Sequence, residues 1–385
     1  MLGALKRRPD ETSEDDALRV AGERLAETYL LEEVRGIAWL SIFKKILFAA
    51  LGSFAFVLGI QLMKASAEGL APFLEPLFGT LLVSPTSALG FGWLVTYAVL
   101  SGSPIAAVAL GLLDAGVLDL ISAYMLVMGS RFGASFIVIV IGMVAMARGG
   151  GREESLSMGV LSFLVTYSVY IPAVFLGFVI LSTGFLSELS LGTPPLLLDG
   201  MTMLFGPLVT YALDTLPLGL VFALSIGSLY AGFSLFDRAF HRKEVEEVAV
   251  SAIHRFLEVP LFSFLLGAGI TLISTSVSLS LGMLVPLYLK GYIRRRDVIP
   301  YILGANITTF MDTLLVAFLI ANNAAVNLVL VAMLSVGGIS LLVLLLYRYY
   351  SRTVLWLFHW IFHSNRALTG FVIVMVAVPL ILLVV

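Results

Sequence analysis

Polar side chains are scarce in this sequence, so those that interrupt its apolar runs are the first candidates for chemistry. Residues 301–310 read YILGANITTF, which places Gly304, Asn306, Thr308 and Thr309 inside what otherwise reads as membrane helix, with Asp312 just beyond. Two further clusters, LSGSP at 100–104 and STSVS at 274–278, break long apolar segments and supply Ser101, Ser103, Thr275, Ser276 and Ser278. Hydroxyls can donate to an anion or accept a cation, and the Asn306 amide offers a carbonyl to one and N–H groups to the other. A helix that starts at such a break points unpaired N–H groups and a partial positive charge at the same spot, a setting suited to phosphate oxygens. The bland reading is that small polar residues only let helices approach and hold together.

Arg131 is the sharpest single signal. It lies 12 residues after Asp119 and 17 before Arg148, too deep to reach water easily. A charge there costs several kcal/mol unless paired or hydrated. Its fork of donors matches two oxygens of an oxyanion; a structural ion pair with Asp114, Asp119, Asp214 or Asp312 is the competing reading. Asp312 and Asp214 fall within apolar stretches and are candidates to ligate a cation or carry a proton. His359 and His363 have a zinc-compatible spacing but no third ligand, and RGGGREES at 148–155 lacks the lysine and context of a phosphate-binding loop.

The elements that position these residues are membrane helices. Of 385 residues, 59% are hydrophobic and 12% charged, against roughly 25% charged in a soluble domain. The fold class expected is an all-α polytopic membrane protein, with the lipid bilayer as its partner and no nucleic acid. The absence of cysteine excludes disulfides and thiolate metal sites. Apolar spans are predicted near 45–63, 118–147, 155–182, 201–235, 298–321, 324–347 and 366–385. Residues 84–116 and 259–291 are too long for one crossing and are broken in the middle, so each reads as a re-entrant helical hairpin. Residues 64–80 and 236–258 read as interfacial helices.

The expected organisation is a cytosolic amphipathic extension (1–44), a first transmembrane repeat (45–182), an extracellular loop (183–200), a second repeat (201–350), and an interfacial segment with an extra C-terminal helix (351–385). With a cytosolic N-terminus, 21 of the 23 Lys and Arg fall inside, all but Lys64 and Arg131.

The repeat shows itself at a fixed offset of 175, the separation of Gly129 from Gly304. Gly92, Thr96, Ser101, Ser103, Leu112, Gly116 and Gly129 then face identical residues at Gly267, Thr271, Ser276, Ser278, Leu287, Gly291 and Gly304. The turn after the first hairpin is acidic (GLLDAGVLDL) and its equivalent is basic (YLKGYIRRRD). Opposite charge at equivalent turns predicts insertion in opposite senses, the inverted-repeat plan of many secondary transporters. Each repeat would hold a hairpin and a broken or polar-centred membrane helix.

YILGANITTF and the preceding TSVS resemble the paired signatures of the sodium-phosphate cotransporter family, in which each repeat carries a QSSS stretch followed by GANIGTT. The second signature matches at Gly291, Pro300, Gly304, Ala305, Asn306, Ile307 and Thr309; the first is eroded, with Arg131 at the asparagine position and neither QSSS keeping its glutamine. The resemblance implies a transporter rather than an enzyme: a multi-pass plasma-membrane protein that couples phosphate uptake to sodium by alternating access, with sodium as co-substrate and no cofactor. It implies phosphate contacts from Ser101, Ser103, Arg131, Ser276, Ser278, Asn306, Thr308 and Thr309, and sodium contacts from Thr96, Thr271, Thr275, Asn306 and Asp312, with no other metal. A homodimer is compatible with it. Transport of another oxyanion or organic anion, coupling to protons through Asp312, and a non-transporting regulatory role stay open as alternatives.

Overall fold

A computed structural model describes residues 11–184, 195–239 and 259–385, and among these every regular element is helical. Seven helical stretches are long and apolar enough to cross a membrane: Ile42–Leu81, Leu120–Ala147, Arg152–Thr183, Leu218–Ala239, Arg295–Ile320, Asn323–Leu345 and Asn365–Val384. The protein is a multi-pass membrane protein.

The first half opens with a long helix, α1 (Glu11–Leu81), followed by the broken pair α2 (Pro85–Val99) and α3 (Gly102–Asp114). A kinked span follows, α4 (Leu120–Ala134) and α5 (Phe136–Ala147), and then α6 (Arg152–Thr183). After α7 (Pro195–Thr215) and α8 (Leu218–Ala239) comes a second broken pair, α9 (Pro260–Ser274) against α10 (Val277–Gly282) and α11 (Leu284–Leu289). A second kinked span, α12 (Arg295–Thr308) and α13 (Met311–Ile320), leads to α14 (Asn323–Leu345), α15 (Tyr347–His363) and α16 (Asn365–Val384).

The offset of 175 carries over from residue letters to backbone. Helices α2, α3, α4 and α5 start at 85, 102, 120 and 136; α9, α10, α12 and α13 start at 260, 277, 295 and 311. The left-handed residues Leu100 (φ 58°) and Gly116 (φ 75°) are matched by Thr275 (φ 50°) and Gly291 (φ 77°). Gly92 and Gly129 let α2 and α4 touch backbone to backbone, because a Cβ on either would overlap the carbonyl oxygen of Leu126 or Leu89. Gly267 and Gly304 do the same between α9 and α12, against the carbonyls of Tyr301 and Phe264, the equivalent partners. Contacts between the halves are reciprocal: α3 packs on α13, while α10 and α11 pack on α5.

Local chemistry explains the starts and stops. Ser84 caps α2 in a capping box with Ser87, and Pro85 sits where its missing N–H is harmless. Asp119, Asn322 and Ser364 cap α4, α14 and α16. Pro286 removes the donor that would continue α10 into α11.

Three expectations are corrected. Residues 45–63 and 64–80 are not separate elements, and the boundary at 44 falls inside α1. Gly52, Phe56 and Gly59 pack on α8, Met63 meets Gly111 of α3, and Gly69 again meets Leu218 of α8, so packing runs unbroken through both predicted segments. The single span expected at 201–235 is two helices, because Pro217 lacks the N–H needed to propagate the helix and disfavours helical geometry at Leu216. In the segment 183–200, residues 195–200 already belong to α7, and 185–194 lie outside the described residues. Of the segment 236–258, residues 236–239 end α8 and the rest lies outside the described residues. The segment 351–385 holds most of α15, which buries Ser351, Val354, Phe358 and Ile361 on one face and exposes Trp356 and Trp360, and all of α16.

Candidate functional site

The two helix breaks, far apart in the chain, meet. Ser101, Gly102 and Ser103 from the first and Thr275, Ser276, Val277 and Ser278 from the second line one small cavity, closed by Arg131, Ala134 and Thr309 and, from α8, by Phe233 and Asp237. Leu100 and Thr275 each turn the chain through a left-handed conformation, which costs a non-glycine residue of order 1 kcal/mol or more and persists only where the surroundings impose it. The strain redirects each helix so that Ser101 and Ser276 become N-caps facing one another's neighbourhood. Ser276 Oγ accepts from Leu279 N at 3.2 Å; Ser101 makes no side-chain cap bond among the described residues.

Arg131 is held at the floor by the close packing of α4 on α2 and α3, where Gly129, Gly133 and Gly102 leave no room for a side chain. It is 2% exposed. Nη2 pairs with Asp312 Oδ1 at 2.9 Å and also donates to Thr313 Oγ1; Nη1 donates to Thr309 Oγ1 at 3.2 Å and to Ser103 Oγ at 3.5 Å. Cζ lies 5.2 Å from the centre of the Phe310 ring. The pairing distinguishes among the four carboxylates considered from sequence. Asp312 is the partner, whereas Asp119 caps α4, Asp114 joins Lys64 (3.6 Å) and Asn322 (2.9 Å), and Asp214 is exposed. Two buried atoms of the pair have no hydrogen-bond partner among the described residues, Arg131 Nε and Asp312 Oδ2. Such atoms normally cost 1–3 kcal/mol or more, so the pair is incompletely satisfied as it stands.

Asn306 occupies the equivalent place on α12 and lines an adjoining smaller cavity with Arg131, Ser135, Thr166, Tyr170 and Thr309. Its side-chain amide hydrogen-bonds Thr166 Oγ1 at 3.3 Å, and its backbone carbonyl accepts from Tyr170 OH at 3.2 Å. Ser101, Ser103, Arg131, Thr275, Ser276, Ser278 and Thr309 are thus brought together, with Asn306 and Asp312 behind Arg131. Three residues are not. Thr308 turns toward α9 and donates to Ala268 O (3.0 Å), Thr96 donates to Gly92 O (2.8 Å), and Thr271 donates to Ser280 Oγ (2.7 Å). Asp237 was not anticipated as a lining residue. Its signal was a lone carboxylate near the end of an apolar run, read as part of an interfacial helix.

The chain matches the family of Na+/Pi-cotransporters at residues 55–211 and again at 229–382. The protein belongs to that family. The two matched stretches begin at 55 and 229, close to the offset of 175 residues, and each contains one broken pair and one kinked span. No curated protein and no solved structure matches the chain. As a member of a transporter family with seven candidate spans, it is a membrane transporter of the sodium and phosphate class. Arg131 and the hydroxyl-bearing residues Ser101, Ser103, Thr275, Ser276, Ser278 and Thr309 line one cavity.

Proposed function

We propose that this cotransporter-family member carries inorganic phosphate into the cell by sodium-driven symport, alternating access to the cavity between its two repeats. The observation that supports this most strongly is the convergence of both helix breaks on Arg131. Phosphate entering there meets the guanidinium, whose Nε is unpaired, the amides that open α3, and the hydroxyls of Ser101, Ser103, Ser276, Ser278 and Thr309. Asp312 already offsets the arginine's charge, so the anion has to compete with a carboxylate, which favours a multiply charged oxyanion over a singly charged one. Asn306, braced by Thr166 and Tyr170, holds the wall behind Arg131.

In this reading the repeats insert in opposite senses and the broken pairs are re-entrant hairpins, with the N-terminus in the cytosol of a plasma-membrane protein. The acidic turn at 114–119 and its basic equivalent at 290–296 support that orientation. Val117→Cys and Tyr292→Cys, at equivalent positions in a chain without cysteine, are expected to react with an impermeant thiol reagent from opposite sides; reaction from one side contradicts inversion.

The transport test is uptake of radiolabelled phosphate into proteoliposomes. A sodium gradient alone drives it if the proposal holds. The buried Asp312, with one oxygen unpaired, favours proton coupling as the second reading; flux driven by a pH gradient without sodium selects it. Absence of flux under either gradient leaves a non-transporting member of the family.

A further inference from the structure

The cavity is lined asymmetrically by charge, and the asymmetry assigns a second ligand. Asp237, at the end of α8, is the one carboxylate among the described residues that line it. Asp312 is engaged by Arg131, and the hydroxyls of Thr96 and Thr271 are committed to Gly92 and Ser280. Asp237 forms no ion pair with Lys or Arg among the described residues, and it stands beside Ser276. On the same side α9 ends. The last carbonyls of a helix lack backbone donors and carry partial negative charge. In α2 the end is closed by Leu100 N–H to Thr96 O at 2.8 Å, whereas among the described residues Thr275 N–H makes no such bond; Ser274 O accepts from Thr275 Oγ1 at 2.8 Å, so the carbonyls before Ser274 are the open part of the last turn of α9.

We propose that Asp237, with the hydroxyl of Ser278 and the carbonyl end of α9, holds the coupling sodium ion, while Arg131 and the start of α3 hold the anion across the cavity. The inference rests on the symport reading above and names the cation side of it. One carboxylate among neutral oxygens suits a monovalent hard cation; no group of three His, Asp or Glu gathers among the described residues as a tight divalent site would require. The arrangement also supplies a physical basis for coupling. A bare Asp237 across a small cavity repels an incoming oxyanion, and sodium on the carboxylate removes that repulsion and adds attraction, so each ion raises the affinity for the other by the same factor.

The test is sodium binding by the full-length protein, read without transport. Thermal stability is titrated with sodium chloride against potassium chloride at fixed ionic strength, without phosphate, since a ligand of the folded state raises stability as its concentration passes Kd. Wild type is expected to show sodium-specific stabilisation. Asp237→Asn should raise the half-stabilising sodium concentration about tenfold or more, the scale of a lost charged contact, while phosphate added at saturating sodium still stabilises it. Ser278→Ala should raise the sodium midpoint by a smaller factor, and it decides the matter if Asp237→Asn does not fold. Wild-type midpoints in Asp237→Asn, or in Ser278→Ala where the former is lost, overturn the assignment and leave the symport reading intact. No sodium-specific stabilisation of wild type overturns both.

Discussion

The two halves of the duplication share a backbone and differ in chemistry. Residues 85–147 and 260–320 start their helices in the same register, turn left-handed at the same places, and bring helices together over the same paired glycines. Yet Arg131 in one half stands where Asn306 stands in the other, and the uninterrupted α3 is matched by two short helices, α10 and α11. The comparison teaches that steric requirements at helix crossings are strict at both sites, while the side chains facing the cavity are free to specialise. The first half supplies the fixed positive charge. The second supplies its counter-charge, Asp312, and neutral donors.

The strictest part of the comparison is the glycine pairs. Gly129→Val and Gly304→Val each drive a side chain into a carbonyl of α2 or α9, and each should lose more than about 4 kcal/mol of stability, seen as absence of monodisperse folded protein. Gly338→Ala, in open space, should be neutral within about 0.5 kcal/mol. Tolerance of valine at one of the paired sites would show that the two crossings are not equivalent.

Next in size is the asymmetric charge pair. Removing Arg131 alone leaves Asp312 buried and uncompensated, and Arg131→Gln should cost about 3–5 kcal/mol of stability. Arg131→Gln combined with Asp312→Asn should recover most of that loss in a thermal melt, while phosphate affinity stays reduced by about 30-fold or more, the equivalent of 2–4 kcal/mol for a charge-assisted bidentate contact. Restored binding in the double variant would reduce Arg131 to a structural role. Asn306→Ala, at the equivalent position, should cost only about 1 kcal/mol, near fivefold in affinity. Smallest of all is the ion pair between Glu153 and Arg295 at 2.7 Å, with Glu153 46% exposed. Glu153→Gln should change stability by about 0–1 kcal/mol, and less in high salt.

Much of this plan was legible in the sequence. Glycine matches at a fixed offset marked the crossings because only glycine meets their steric demand, and serine clusters marked the breaks because apolar helices rarely carry them. What was not legible depends on docking at long range. Arg131 had four carboxylates to choose from, and its partner lies 181 residues away. The family resemblance implied sodium contacts from Thr96 and Thr271, but the sequence does not show where their hydroxyls go: Thr96 donates to the carbonyl four residues back, and Thr271 donates to Ser280 Oγ. Asp237 joined the cavity only because α8 packs along α1 and brings its end to the second break. The split at Pro217 was written in the chain, but the apolar run around it masked it.

The central claim is that both helix breaks form one phosphate site, and it can be measured in a protein that has no cysteine of its own. Ser103→Cys and Ser278→Cys, one from each half, are made singly in the full-length protein, and their reaction with a small thiol reagent is followed as phosphate is added in sodium. Phosphate should protect both positions, with half-protection at concentrations that track each variant's own phosphate affinity, and potassium in place of sodium should abolish protection at both. Protection at one position alone, or at neither while phosphate still binds, would contradict a single site built from the two repeats.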